Sequence, residues 1–336
     1  MLNRITKYFK SSEEIAIVLM YHRVCETKSD PWQLAVSPDN FESQIKAITK
    51  NFNVLPVSDL ITQFNSNKIK PKSVYITFDD AYQDNYFYAK PILEKYNCPA
   101  TFFVPTYFIG KKQMFWWDEL EEIILHSKEL PDELTFQVDL ETFEFLNKME
   151  ALTMDIQKKQ KNWHYTEKPP TKRCELYLQI SDILKPLPFS KIVIVLNHLK
   201  TWANVVPSII NENLAMTPEQ LKTLSNNKLF SFGLHTETHP ALANHAYDIQ
   251  LSEISNNYSF LKSYENAVIN AIAYPHGNFN DTTLSIVKQN NIALGFTTSG
   301  DIITKKSSPL QLGRIQVPNC NGTLLHKLLN EWLSNL

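Results

Sequence analysis

Two short segments of this sequence carry residue types that can do chemistry together. In Thr77-Phe78-Asp79-Asp80, two adjacent carboxylates follow the apolar run Ser73–Phe78. Neighbouring side chains at a strand end point in different directions, so one carboxylate can bind a cation while the other handles a proton. The C-terminal ends of strands are where α/β folds place their active sites. In His235-Thr236-Glu237-Thr238-His239-Pro240, two histidines at i and i+4 follow the apolar Phe230–Leu234. On a helical turn such a pair presents both imidazoles on one side, a common arrangement for a divalent metal. The order is not HExxH, because the Glu stands third, so the zinc-protease role is not indicated. Taken singly, the Asp pair reads equally well as a turn or helix N-cap, and the histidines as solvated surface groups. Taken together, His, His and Asp make a three-ligand set with positions open for water and substrate, which a catalytic metal requires. The second Asp is then free to act as a base.

Alternating strands and helices must position these groups. Ile15–Tyr21 is an apolar strand followed by a polar loop, and a helix starts at Ser37-Pro38, with the Ser as cap and the Pro in the first turn. Residues 73–110 read strand, helix, strand, with Pro91 kinking or dividing the helical stretch. The same pattern returns at residues 267–299, through AVINAIAYP, DTTLSIVKQNN and ALGFTTS. Such units imply parallel strands with right-handed crossovers, hence an α/β barrel or open sheet. The stretch 111–215 differs in character. It holds an amphipathic helix around Trp116-Trp117, a hairpin turning at Asp139, and a polar basic tract over 155–175. It reads as a mostly helical insertion packed on one domain spanning 1–336. The two tryptophans are expected in the core.

Composition narrows the classes. With 33 Lys+Arg against 35 Asp+Glu, the charge of −2 gives no reason to expect nucleic acid as a partner. Only seven glycines occur, and neither GxGxxG nor GxxxxGKS is present, which argues against a glycine-rich nucleotide loop. No run reaches the ~20 apolar residues of a membrane span. The opening residues lack a signal-peptide pattern, so the expected location is the cytoplasm. A basic amphipathic start (Arg4, Ile5, Lys7, Phe9, Lys10) could touch the inner face of the membrane, an alternative to a purely cytoplasmic location. Cys25, Cys98, Cys174 and Cys320 show no CxxC pairing and read as reduced thiols.

TFDD followed by a helix, together with H-T-x-x-H-P, resembles the first two motifs of polysaccharide deacetylases (carbohydrate esterase family 4, chitooligosaccharide-deacetylase-like). The resemblance runs over residues 15–110 and 228–320. It implies a distorted (β/α)7-type barrel, with Asp79 as general base and a divalent metal, zinc, held by Asp80, His235 and His239. The third motif corresponds to Ala273-Tyr274-Pro275-His276-Gly277, whose backbone would serve the oxyanion, making Tyr274 and His276 oxyanion or substrate residues. The Arg that often opens this motif and pairs with the base is missing. Arg314 is the candidate to replace it. The late Leu-x-His motif is also missing, the segment being Leu312-Gly313-Arg314, and His326 reads as a surface residue of a C-terminal helix. The branch that resembles surface-adhesin deacetylases begins instead with Leu-x-Tyr-His, here Leu19-Met20-Tyr21-His22, which makes His22 the general acid.

The resemblance therefore implies a hydrolase that removes the N-acetyl group from an amino sugar in a glycan or glycan precursor. Two alternatives stand beside it. One is a small-molecule amidase or deformylase using the same chemistry. The other is a non-catalytic carbohydrate-binding protein that keeps the fold, a reading whose signature would be loss of an acid or a ligand; Asp79, Asp80, His235 and His239 are all present.

Overall fold

The computed structural model describes residues 14–146 and 148–334. Six parallel strands form its centre: β1 (Ile15–Tyr21), β2 (Ser73–Phe78), β3 (Ala100–Val104), β4 (Phe230–Leu234), β5 (Val268–Ala273) and β6 (Leu294–Phe296). They lie side by side in chain order, β1 beside β2 and so on to β6. Every residue of β1, β2 and β3 is buried, as expected of strands covered on both faces. The short strand Ile315–Gln316 pairs with β1, while Leu312 bridges to Phe296 of β6, so one segment touches both edges of the curled sheet. The result is a distorted (β/α) barrel.

The helices follow their local signals. Ser37 caps Pro38–Asn51, whose buried face holds Phe41, Ile45 and Ile48. Around Pro91, a π-helical turn (Asn85–Ala89) runs into the short α-helix Lys90–Lys95, which has the Pro in its first turn. Phe78 stacks on Tyr21 and Phe102 at 5.3 and 5.0 Å between centroids, tying β1, β2 and β3 into one core under the strand ends.

Between β3 and β4 the chain forms the helices Trp116–Ile124, Met154–Lys161, Lys172–Leu184 and Phe189–Ala203, and the hairpin Glu133–Val138 with Glu141–Leu146. The hairpin turns at Asp139, whose φ is 53°. Arg173, fully buried, donates to the carbonyls of Ile124, Ser127 and Glu150 at 2.9, 2.8 and 2.7 Å. It thereby satisfies orphan acceptors at the end of the Trp116 helix. The four cysteines are free. Among the described residues, no helix is long and apolar enough to cross a membrane. The basic amphipathic stretch at residues 4–10 lies outside the described residues.

Candidate metal centre and active site

The two acids stand at the C-terminal end of β2. The Asp79 N–H donates to Tyr21 O at the end of β1 (2.9 Å), which fixes the point where the chain leaves the sheet. Asp80 and Ala81 then take left-handed backbone, with φ of 66° and 50°. Strain of this kind in non-glycine residues persists only where the surroundings enforce it, and it gathers at functional sites. Here the chain at Ala81–Gln83 is gripped by Leu214–Met216: Met216 N–H donates to Ala81 O (2.9 Å) and Gln83 N–H to Leu214 O (2.8 Å).

The histidines leave β4 in an irregular loop, not on the helical turn expected from their spacing. Thr236 and His239 both have φ of 63°, and His239 N–H donates to the Thr236 hydroxyl. Two polar side chains of the helix Tyr247–Leu261 hold this loop. Glu253 accepts from the N–H groups of Glu237 and Thr238 and from the Thr238 hydroxyl. Asn257 accepts from His235 N–H and donates to the carbonyls of Thr236 and Val104. The sequence reading missed both residues. Their signal was a pair of polar side chains at i and i+4 on the face that packs against the sheet.

The site these loops build is compact. His235 Nε2 and His239 Nε2 lie 3.5 and 3.4 Å from Asp80 Oδ1, and one ligand atom from each of the three residues falls within 4.8 Å of the others. Nitrogen and oxygen atoms sharing a tetrahedral zinc at ~2.0–2.1 Å would stand about 3.3 Å apart. Asp80 Oδ1 is buried with no hydrogen-bond partner among the described residues, which is costly unless a cation faces it. His235 Nδ1 lies 2.8 Å from Ala273 O and so donates to it, which in the neutral ring leaves the Nε2 lone pair facing Asp80. The donor set fits a divalent metal.

Asp79 is held separately. Arg314, fully buried, grips it with Nη1 and Nη2 on its two carboxylate oxygens, each at 2.7 Å. Burial alone would push the Asp79 carboxyl up, but Arg314, His235 and His22 outweigh it and bring it down to about 2. His22 Nε2 stands 3.8 Å from Asp79 Oδ2, and burial holds its imidazole below the ordinary histidine value despite Asp79 and Asp80.

Of the third-motif residues, His276 adopts φ of 57° and its ring packs 4.6 Å from that of His239. The next residue, Gly277, has φ of 64°, and a Cβ there would run into the Thr298 hydroxyl, so glycine is required. Tyr274 goes the other way, contrary to the oxyanion or substrate role expected from the motif. Its hydroxyl donates to Leu310 O (2.9 Å), its N–H donates to Phe296 O (3.0 Å), and its ring is fully buried against Phe279. Tyr274 shapes the sheet edge and does not reach the cavity. His326 lies on the helix Gly322–Ser334 with its ring against Phe52, also away from the site.

Asp79, Asp80, His22, His235, His239 and His276 line one cavity of about 260 Å³. Trp116 and Trp117 are buried, as expected of core residues, yet both also line this cavity. Trp117 packs at 4.8 Å on the His239 ring and donates its indole N–H to the Tyr82 hydroxyl, which in turn donates to Asp118 (both 2.8 Å). Arg23 lies over the Tyr82 ring at 4.6 Å and pairs with Asp84. One tyrosine thus joins the loop of Asp80, the wall beside His239 and the chain that follows His22.

The sequence matches the polysaccharide deacetylase family profile over residues 66–134 and 191–295, just over half of its length. The chain belongs to the polysaccharide deacetylase family. Within it, a 113-residue segment is 35% identical to YxkH of Bacillus subtilis, covering 33% of this chain and 39% of that protein. A 119-residue segment is 32% identical to the poly-beta-1,6-N-acetyl-D-glucosamine N-deacetylase of Staphylococcus aureus, covering 32% of this chain and 41% of that one. These matches span about two fifths of each relative's length. Among solved structures, the fold resembles the deacetylase PplD of Streptococcus pyogenes at a TM-score of 0.58, with 22% identity and 94% and 98% of the two chains covered. It resembles IcaB of Ammonifex degensii at the same TM-score, with 16% identity and 94% and 97% covered.

Proposed function

We propose that the chain is a metal-dependent hydrolase that removes the N-acetyl group from an amino sugar in a glycan or glycan precursor. The observation that carries this reading is the meeting of Asp80, His235 and His239 around one point, with Asp79 beside them, at the positions of the family's motifs. The relative named as a poly-beta-1,6-N-acetyl-D-glucosamine N-deacetylase supports an N-acetylated amino sugar as the substrate class.

In this reading Asp80, His235 and His239 hold the metal, and zinc suits two imidazoles and a carboxylate. A divalent metal bound there supplies a Lewis acid for the acyl carbonyl and makes water a better nucleophile. Asp79, kept ionised by Arg314, takes the proton of the attacking water. The N–H of His276, at the turn that ends β5, donates to the oxyanion as the carbonyl becomes tetrahedral. The gap of 3.8 Å between Asp79 Oδ2 and His22 Nε2 supports His22 as the acid that works with this base. Asp79 passes the proton taken from water to His22, which delivers it to the leaving nitrogen, and acetate and the free amine depart.

The test is acetate release from N-acetylglucosamine oligomers by zinc-loaded protein, with a chelator control. Release that the chelator stops and zinc restores is the expected result. Formate but not acetate release from N-acylated sugars would point to a deformylase, and oligomer binding without hydrolysis to a carbohydrate-binding protein.

A further inference from the structure

The cavity that holds the acids and histidines extends to residues for which the proposed chemistry has no use. Trp32 comes from the loop after β1, and Tyr165 from the stretch between β3 and β4; both line this cavity, and their rings lie 5.0 Å apart. Trp32 is set firmly. Its indole N–H donates to the Tyr177 hydroxyl at 2.7 Å, and its carbonyl accepts from the Gln316 amide. The Tyr165 N–H donates to Pro31 O (2.8 Å), pinning the second ring beside the first. Yet Tyr165 remains 47% exposed, so two fixed rings stand at the mouth and leave apolar surface open.

Rings of this kind suit a pyranose, whose faces carry apolar C–H groups and whose rim carries hydroxyls. Groups for the hydroxyls lie close by. Asp182 and Lys185, at the end of the helix Lys172–Leu184, line the same cavity and make no ion pair with another described residue. The two rings and these polar groups border the same cavity as the acids and histidines, so a sugar joined to the acylated one would meet them.

We propose that Trp32 and Tyr165 form a platform for a second pyranose, covalently linked to the one that carries the acyl group. The platform rests on the deacetylase reading and deepens it: this chain selects linked sugars over a free monosaccharide, and Tyr165, brought from between β3 and β4, sets that choice.

The experiment compares kcat/KM for N-acetylglucosamine and its β-linked dimer, in the zinc-loaded wild type and in Tyr165→Ala. Tyr165 is half exposed, and an unchanged melting temperature checks that the variant folds. The wild type should prefer the dimer, and the variant should lower the dimer-to-monosaccharide ratio about 3- to 10-fold, mainly through KM. A ratio near one in the wild type, or the same ratio in both proteins, overturns the platform. Tryptophan fluorescence titration with the dimer gives a second readout that needs no turnover. Weaker dimer binding in Tyr165→Ala upholds the platform even if no sugar is deacetylated, an outcome that would sink the deacetylase reading alone. Equal binding by the two proteins overturns the platform whatever the turnover.

Discussion

Arg314 and Asp79, 235 residues apart in sequence, form a two-point ion pair beside the candidate metal centre, with both N–O distances at 2.7 Å. The guanidinium also donates to Thr297 O, so its fork is set before it meets the carboxylate. Arg314→Gln keeps the bulk and removes the charge. Only His235 and His22 would then oppose burial, and the Asp79 carboxyl should rise from about 2. The acid limb of the kcat/KM profile should move up by the same amount. The pair also stabilises the fold. A depressed carboxylate contributes stability that is present above about pH 4 and lost as the pH falls toward 2. The variant should therefore lose about 3–5 kcal/mol at neutral pH, read by urea unfolding. An unmoved acid limb would show that Asp79 is not the titrating group.

Asp79→Asn separates the base from the ligands. The amide can still accept from Arg314 but cannot take a proton. Turnover should fall by roughly 10²–10⁴-fold. Metal content by elemental analysis should stay near that of the wild type, because Asp80 and not Asp79 belongs to the three-residue cluster. Loss of metal together with activity would move Asp79 into the ligand set.

Metal removal should cost stability as well as activity. Without a cation, the Asp80 oxygen stays buried and unpaired. Zinc at about a thousand times its dissociation constant should add about 4 kcal/mol to the unfolding free energy, a gain that chelation reverses. The melting temperature with and without zinc measures it. In Asp80→Ala the zinc-dependent part should shrink or vanish.

The sequence made the chemistry legible where one residue does one job in a short motif. Asp79, Asp80, His235 and His239 stand out by type and spacing, and Ile15–Tyr21 and Ser73–Phe78 by continuous apolar runs. Their exact setting was less visible. The i, i+4 histidines suggested a helix, but the Glu253 and Asn257 side chains hold the segment in a loop with two left-handed residues. Tyr274 sits in the motif expected to serve the oxyanion, yet its hydroxyl is spent on Leu310, a contact that no spacing predicts. The tryptophans at 116 and 117 showed a half-truth of a different sort. A helical pattern marks them as core and says nothing about which core surface borders a cavity.

Tyr82 links parts of the site that are distant in sequence, so its hydroxyl should matter more than its ring. Tyr82→Phe keeps the contacts with Arg23 and Phe115 and loses the bonds to Asp118 and Trp117. Trp117 then packs less firmly on His239. Partners that orient ligands typically change metal affinity or activity by 10–100-fold. Zinc competition titration should show a fall in that range, with kcat reduced and KM little changed. A loss of melting temperature without a loss of zinc affinity would mark the network as structural only.

Asp118 gives the pH test of the fold. Burial pushes its carboxyl up to about 7, Arg23 pulls it back in part, and Glu121 adds to the rise. In the unfolded chain it titrates near 3.9, so between about pH 4 and 7 the folded state binds the extra proton. Its contribution to stability therefore falls as the pH rises through that window, by up to about 1.4 kcal/mol per unit. Asp118→Asn removes the titration and keeps an acceptor for Tyr82. Asp30, pushed up to about 6 by burial, remains in both proteins and cancels in the comparison. Urea unfolding at pH 5 and pH 7.5 should show the wild type losing more stability than the variant over this interval. Equal losses in the two proteins would mean that Asp118 is already ionised at pH 5.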